Sequence, residues 1–288
     1  MPELATENQA AGRRAAARPG FTLMEVLVVI TVIAMIIGLM LPALRSSREA
    51  ARRINCINNL RQIGLALCNY ETQCQVFPSG VVDAKGPIRN DQPDGLHIGW
   101  LVQLLPYMEQ NAIRETINTT LPVYDEANDT AARTTISSFL CPSDPQTGPV
   151  GGRSGNSYAA CHHDVEAPID VDNHGVFYLN SSVRKEAITD GTSFTIFVGE
   201  KMISPLIHGG WMAGNRATLR NTGSPINTPP RPGGDLVGGY GSYHGGGANF
   251  LFGDSAVRFL SERISPRVYR LLGHREDGEP IDDLSDLP

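Results

Sequence analysis

The chain has 288 residues, 41% hydrophobic and 19% charged, enough for one large domain or two small ones and too apolar for wholesale disorder. Thirty Gly and 20 Pro, with aromatics at 7%, point to an irregular, strand-and-loop-rich body and argue against an all-helical fold. A net charge of −6 lacks the basic footprint of a general nucleic-acid binder, so no nucleic-acid partner is expected.

Residues 26–44, VLVVITVIAMIIGLMLPAL, hold no charge over nineteen positions. At about 1.5 Å per residue a helix of that length crosses a hydrocarbon core of about 30 Å. Before it stands Arg18-Pro19-Gly20-Phe21-Thr22-Leu23-Met24-Glu25, with Arg13 and Arg14 upstream. Glu25 lies just inside the apolar run, where a carboxylate is costly and is by default functional. The positive end of the helix offers it a purely local alternative. Pro42 cannot donate its backbone hydrogen bond and predicts a kink there. Beyond it, Ile54, Ile57, Leu60, Gly64, Leu67 and Cys74 recur at helical spacings and predict an amphipathic helix over 45–75 that docks on the body. This stem carries five Arg and two Glu, a net +3, whereas residues 76–288 carry 16 basic and 25 acidic side chains, a net −9. The Arg cluster after the apolar run does not favour an N-in topology by the positive-inside rule. If the N-terminus is inside, these arginines are expected to meet anionic headgroups or the acidic bodies of neighbouring subunits.

In the body, Asp190-Gly191-Thr192-Ser193 reads as a turn feeding a strand through Val198. Asn249–Phe252, a turn at Gly253-Asp254-Ser255, and Ala256–Leu260 read as a hairpin. That geometry could bring His244 and Asp254 together as a base and carboxylate or as metal ligands. No nucleophile or third ligand accompanies them locally, so both are expected to be structural. Cys161-His162-His163-Asp164 through Asp170, Asp172 and His174 offers ligand types suited to zinc or copper. The spacing fits no closed zinc motif, and a solvated loop is the expectation. Ser265-Pro266 opens and Gly273 closes a short helix, and the acidic tail from Glu276 is expected to be solvated. Five cysteines, Cys56, Cys68, Cys74, Cys141 and Cys161, allow one or two disulfides with a thiol left over, or reduced buried cysteines. Cys68 and Cys74 fall on different helix faces, which disfavours a bridge between them.

The string Gly20-Phe21-Thr22-Leu23-Met24-Glu25-Val26 resembles the type IV prepilin signal. The resemblance implies that a prepilin peptidase cuts after Gly20 and methylates the amine of Phe21, leaving the apolar helix in the product. It also implies that Glu25 pairs with the terminal amine of a neighbouring subunit. Further strings follow in order: Cys56-Ile57-Asn58-Asn59-Leu60-Arg61-Gln62, Phe77-Pro78-Ser79-Gly80, Leu104-Leu105-Pro106-Tyr107, Phe139-Leu140-Cys141-Pro142-Ser143-Asp144 and Val198-Gly199-Glu200. Together they resemble the prepilin-type bacterial family known as domain of unknown function 1559, from Gly20 to about Ile281. The family's last signature is His, nine residues, then Asp-Gly; here His244 and Asp254 match, and Ser255 replaces the Gly. Gly253 is expected to take over the role of the missing glycine. Cys56 and Cys141 lie inside family strings and are the preferred disulfide.

The resemblance implies an α+β, pilin-like fold with a long N-terminal helix packed on an irregular antiparallel β-rich domain. Its expected parts are a leader at 1–20, a transmembrane helix at 21–44, an amphipathic continuation at 45–75, a periplasmic domain at 76–275 and an acidic tail at 276–288. The expected function is a pilin- or pseudopilin-like subunit in the bacterial inner membrane or a surface filament, with prepilin peptidase and other pilin-like subunits as partners. Likeness to major pseudopilins makes calcium a candidate, although no EF-hand spacing is present; no other cofactor and no metal site is expected. A rival is a membrane-tethered binding module, since the family has carried a solute-binding label and Trp100 and Trp211 could line a cleft. An enzyme using His244 and Asp254 is not expected.

Overall fold

A computed structural model describes residues 21–89, 94–146, 148–149, 151–204, 209–229 and 237–281. Gly20, the rest of the expected leader and residues 282–288 of the tail lie outside them. The chain divides into two units, residues 1–48 and 49–288.

Helix α1, Leu23–Cys74, is one element of 52 residues and passes through Pro42 without a break. A proline removes a single backbone hydrogen bond, and the flanking Leu and Ala residues are good helix formers. Every residue from Phe21 to Leu41 is exposed, as an apolar segment made for lipid rather than for a protein core would be. In the second unit the helix buries Cys56, Leu60, Ile63, Ala66 and Leu67, none more than 2% exposed. The expected stripe is therefore rotated, because Ile54 and Cys74 are exposed while Ile63 and Ala66 are not.

The body is a five-stranded sheet of β3 (Tyr158–His163), β4 (Ile196–Glu200), β5 (Leu219–Asn221), β6 (Gly247–Phe252) and β7 (Val257–Ser261). A two-stranded ribbon, β1 (Val81–Val82) and β2 (Ile98–Gly99), precedes it, followed by short helices α2 (Trp100–Leu104), α3 (Asn111–Glu115) and α4 (Asp129–Arg133). The strand order is β5-β3-β4-β6-β7, antiparallel except for the parallel β3–β5 pair. The sheet is thus mixed rather than wholly antiparallel, and the fold is α+β.

Side chains alternate across a strand with period two. Tyr158 and Ala160 of β3 and Leu251 of β6 enter the core shared with Leu60, Ile63 and Leu67 of α1. Ala159, Cys161, Phe250 and Phe252 enter a second core with Val268 and Tyr269 of α5 (Pro266–Leu271). The sheet is covered on both faces, which explains why β3, β4 and β6 are buried at every position. Helix α1 approaches β6 so closely at Gly64 that a Cβ there would lie 2.8 Å from Leu251 Cδ1. Trp100 and Trp211 are fully buried in the first core, so they do not line a cleft.

The hairpin forms where the alternating pattern places it, β6 and β7 joined by a turn in which Asp254 Oδ1 accepts the Ala256 N–H at 2.9 Å. The left-handed residue is Ser255 itself, with φ 66°, so Gly253 does not stand in for the family's glycine. A Cβ in that conformation is strained. Ser255→Gly is expected to stabilise the protein by about 0.5–1 kcal/mol in denaturant unfolding; an unchanged or lower midpoint would contradict this account of the turn.

Candidate functional site

At the start of α1, Thr22 and Glu25 form a capping box. The Thr22 N–H and hydroxyl each donate to Glu25 Oε2 at 2.8 Å, and the Glu25 N–H donates to Thr22 Oγ1 at 3.2 Å. Reciprocal bonding of this kind satisfies orphan donors at a helix N-terminus. Within one chain, Glu25 therefore has a local role. Phe21 beside it is 84% exposed.

A charge cluster lies in the second unit around His244, which is 3% exposed. Its Nδ1 sits 2.7 Å from Glu49 Oε1 on α1, and its Nε2 sits 3.4 Å from Glu200 Oε1 at the end of β4. Glu200 also accepts from the backbone N–H of Asn249 at 2.8 Å and from the Asn249 side chain at 3.0 Å. Glu49 accepts from Ser143 Oγ at 3.0 Å and is paired with Arg52. Burial opposes the imidazolium, but the hydrogen bonds and charges of Glu200 and Glu49 outweigh it and raise the His244 pKa above the usual histidine value. Burial likewise opposes the Glu49 carboxylate, and His244, Arg52 and Ser143 overcome it and hold its pKa below the ordinary range.

Against this cluster lies a disulfide, Cys56–Cys141, with a Cα–Cα separation of 5.2 Å and an 85-residue span. Cys141 Sγ is 3.5 Å from His244 Nε2. Cys56, Cys141, Glu200 and His244 together have the composition of a metal site, but a disulfide offers no thiolate. Cys68 and Cys74 are free and exposed, and Cys161 is free and buried.

His244 and Asp254 flank opposite ends of the six-residue strand β6, which spans about 20 Å. Asp254 instead pairs with Arg258 at 3.1 Å in the hairpin turn. The two signature residues do not form a joint site; each holds its own end of the strand. Two of the five arginines expected to seek headgroups or neighbours have partners in the second unit: Arg52 pairs with Glu49, and the Arg53 guanidinium stacks 3.9 Å over the Phe259 ring.

The stretch from Cys161 is a solvated loop only in its later part, where Asp172 and His174 are exposed; residues 161–164 are buried. His162 is fully buried, and His163 and Asp164 are 7% and 9% exposed, because β3 lies inside the sheet. Asp164 Oδ1 faces His163 Nδ1 at 2.7 Å and His174 Nδ1 at 2.9 Å. His274, from beyond α5, stacks on His174 with ring centroids 4.5 Å apart, a neighbour that no local spacing could announce. Asp190, in the turn before β4, accepts from the backbone N–H groups of Asp277 and Gly278 at 2.7 and 2.9 Å. These bonds fasten the beginning of the acidic tail to the body, while Glu276, Gly278 and Glu279 are exposed as expected.

A cavity of about 600 Å³ is lined by Glu166, Lys201, Arg216, Arg220, Tyr240 and Tyr243 among others. Glu166 is occupied by the backbone N–H groups of Val237 and Gly238 and by Ser224 Oγ, at 2.7–3.1 Å. Lys201 likewise donates to Asn156 O at 2.6 Å and Arg220 to the carbonyl oxygens of Leu219 and Val237 at 3.1 and 3.2 Å, and burial pushes both pKa values down. Residue-level reasoning did not find this cavity, since its lining comes from four separated stretches of chain.

A long N-terminal helix with an apolar first part, docked through its second part onto a mixed sheet, defines the architecture. The sequence profile of the family described as Protein of unknown function (DUF1559) matches residues 45–267, and the chain belongs to that family. No curated protein and no solved structure matches the chain.

The His244 cluster carries a pH signature. A histidine whose pKa is raised by folding adds stability in full below its unfolded value of about 6.5, and that stability is lost as pH rises through the folded value. Glu49, with a lowered pKa, adds stability above about 4.5 that is lost as pH falls. His244→Gln is expected to cost about 2–4 kcal/mol near pH 6. The difference from wild type should shrink towards pH 9 in urea titrations. A penalty independent of pH would mean that His244 is not charged in the folded protein.

Proposed function

We propose that this chain is a membrane-anchored, pilin-like structural subunit. Prepilin peptidase would cut after Gly20 and methylate Phe21, and the mature chain would assemble with other pilin-like subunits through its apolar helix. The observation that carries the reading is α1: one helix in which every residue through Leu41 is exposed and apolar enough for a single membrane span, while Cys56, Leu60, Ile63 and Leu67 are buried against the sheet. The inner membrane is the proposed location, with the N-terminus cytoplasmic and the body periplasmic. Incorporation would exchange the local Thr22–Glu25 capping box for a pairing of Glu25 with the amine of an incoming Phe21. Such an exchange replaces hydrogen bonds from neutral donors by an ion pair in a medium where charges are costly to leave alone. The role is structural rather than catalytic, which the separation of His244 from Asp254 supports.

Mass spectrometry of the N-terminal peptide of the native membrane protein is expected to find N-methylated Phe21, and Glu25→Ala should leave processing intact while abolishing incorporation into assemblies. A chain still starting near Met1, or cut after residue 44, would overturn the proposal.

The cavity favours a second reading, a tethered binding module whose basic wall residues Lys201, Arg216 and Arg220 suit an anionic solute. Millimolar citrate should then raise Tm, and Arg216→Gln should remove the rise; no shift with citrate or inorganic phosphate would dismiss this reading.

A further inference from the structure

We propose that His163, Asp164 and His174 form a binding site for one divalent ion of the zinc class. Their ligand atoms lie within 4.8 Å of one another. Two imidazoles and one carboxylate suit zinc, copper or nickel and are foreign to calcium and magnesium, which take oxygen ligands.

One carboxylate oxygen, Asp164 Oδ1, lies 2.7 Å from His163 Nδ1 and 2.9 Å from His174 Nδ1, so three ligand atoms of the types zinc takes converge on one point. Imidazole and carboxylate bind metal in their deprotonated forms, so a divalent ion would take the place of the protons that otherwise bridge these contacts.

The site is held by the fold rather than by the ligands. His163 ends β3 inside the sheet. The chain returns beside that strand through Gly175 N–H to His162 O at 2.9 Å and Phe177 N–H to Cys161 O at 3.1 Å, which sets His174 over His163 with ring centroids 4.4 Å apart. Arg275 fastens the return, its guanidinium donating to Asn173 O at 2.8 Å and Gly175 O at 2.9 Å. Arg270 reaches the other oxygen of Asp164 at 3.5 Å, and His274 stacks on His174. Such outer contacts orient ligands and tune a metal site. The His174 side chain is 47% exposed, giving an ion a way in and leaving a coordination position open to water. Ligand atoms around tetrahedral zinc stand about 3.3 Å apart, so binding spreads the trio by roughly half an ångström, which a half-exposed loop residue can accommodate.

The test is Co²⁺ and Zn²⁺ titration of the full-length protein in detergent, stripped beforehand with chelator. One Co²⁺ per chain is expected, with a visible d–d spectrum of mixed nitrogen and oxygen ligation, displaced by Zn²⁺ and not by millimolar Ca²⁺. His174→Ala should weaken binding at least tenfold; its exposure makes it safe for folding, and an unchanged melting curve of the metal-free variant confirms that. Asp164→Asn should weaken binding likewise, whereas Asp190→Asn should leave it unchanged. No stoichiometric binding at 100 μM metal ion, displacement by Ca²⁺, or an affinity indifferent to His174→Ala would each overturn the proposal.

Discussion

An imidazole between two carboxylates, one on the helix and one on the sheet, fixes how α1 seats on the body of this protein. His244 receives Glu49 from the helix on one side and Glu200 from the sheet on the other, and it rests on the Cys56–Cys141 disulfide, which ties the same helix to the loop before β3. Taking a charge out of water is costly, and only close counter-charges with satisfied hydrogen bonds offset it. Glu200 and Glu49 meet that condition, since Asn249 and Arg52 bind the oxygens that His244 does not and Ser143 shares Glu49 Oε1 with it. The apolar contacts of Leu60, Ile63 and Leu67 supply the larger share of the driving force. The charge cluster adds direction, because it is satisfied in only one register of helix on sheet.

That register has consequences on both faces of the sheet. With α1 on one face and α5 on the other, the central strands have no solvent side, and their polar residues are buried whatever their chemistry. His162, His163 and Asp164 are carried inside in this way. A buried His–Asp pair needs partners, and the chain brings His174 to it from the following loop and Arg270 and His274 from the C-terminal helix and just beyond it. The same covering of the sheet consumes Trp100 and Trp211 as core residues and leaves the cavity to Lys201, Arg216 and Arg220.

The signature pair His244 and Asp254 is explained by the strand between them. His244 secures the end of β6 that faces the helix, and Asp254 shapes the turn that starts β7 through Ala256 and Arg258. Their fixed separation follows from the length of β6, because a strand one residue longer or shorter would turn its core face outward. A chemical partnership between them is unnecessary.

The amino-acid sequence by itself determined the elements whose cause is local. Nineteen uncharged residues define a membrane-length helix, alternation and a turn define the β6–β7 hairpin, and Ser265-Pro266 opens α5. It also carried the family, through strings spread along most of the chain. It did not determine which face of α1 meets the sheet, since Ile54 and Cys74 obey the helical period as well as Ile63 does and only contact with β6 chooses between them. Nor could local spacing show that His244 meets Glu49, 195 positions away, or that His174 lies over His163. Periodicity reports the geometry of one element, whereas a site of charged and metal-binding side chains is made by where separate elements cross, and that only the tertiary structure decided.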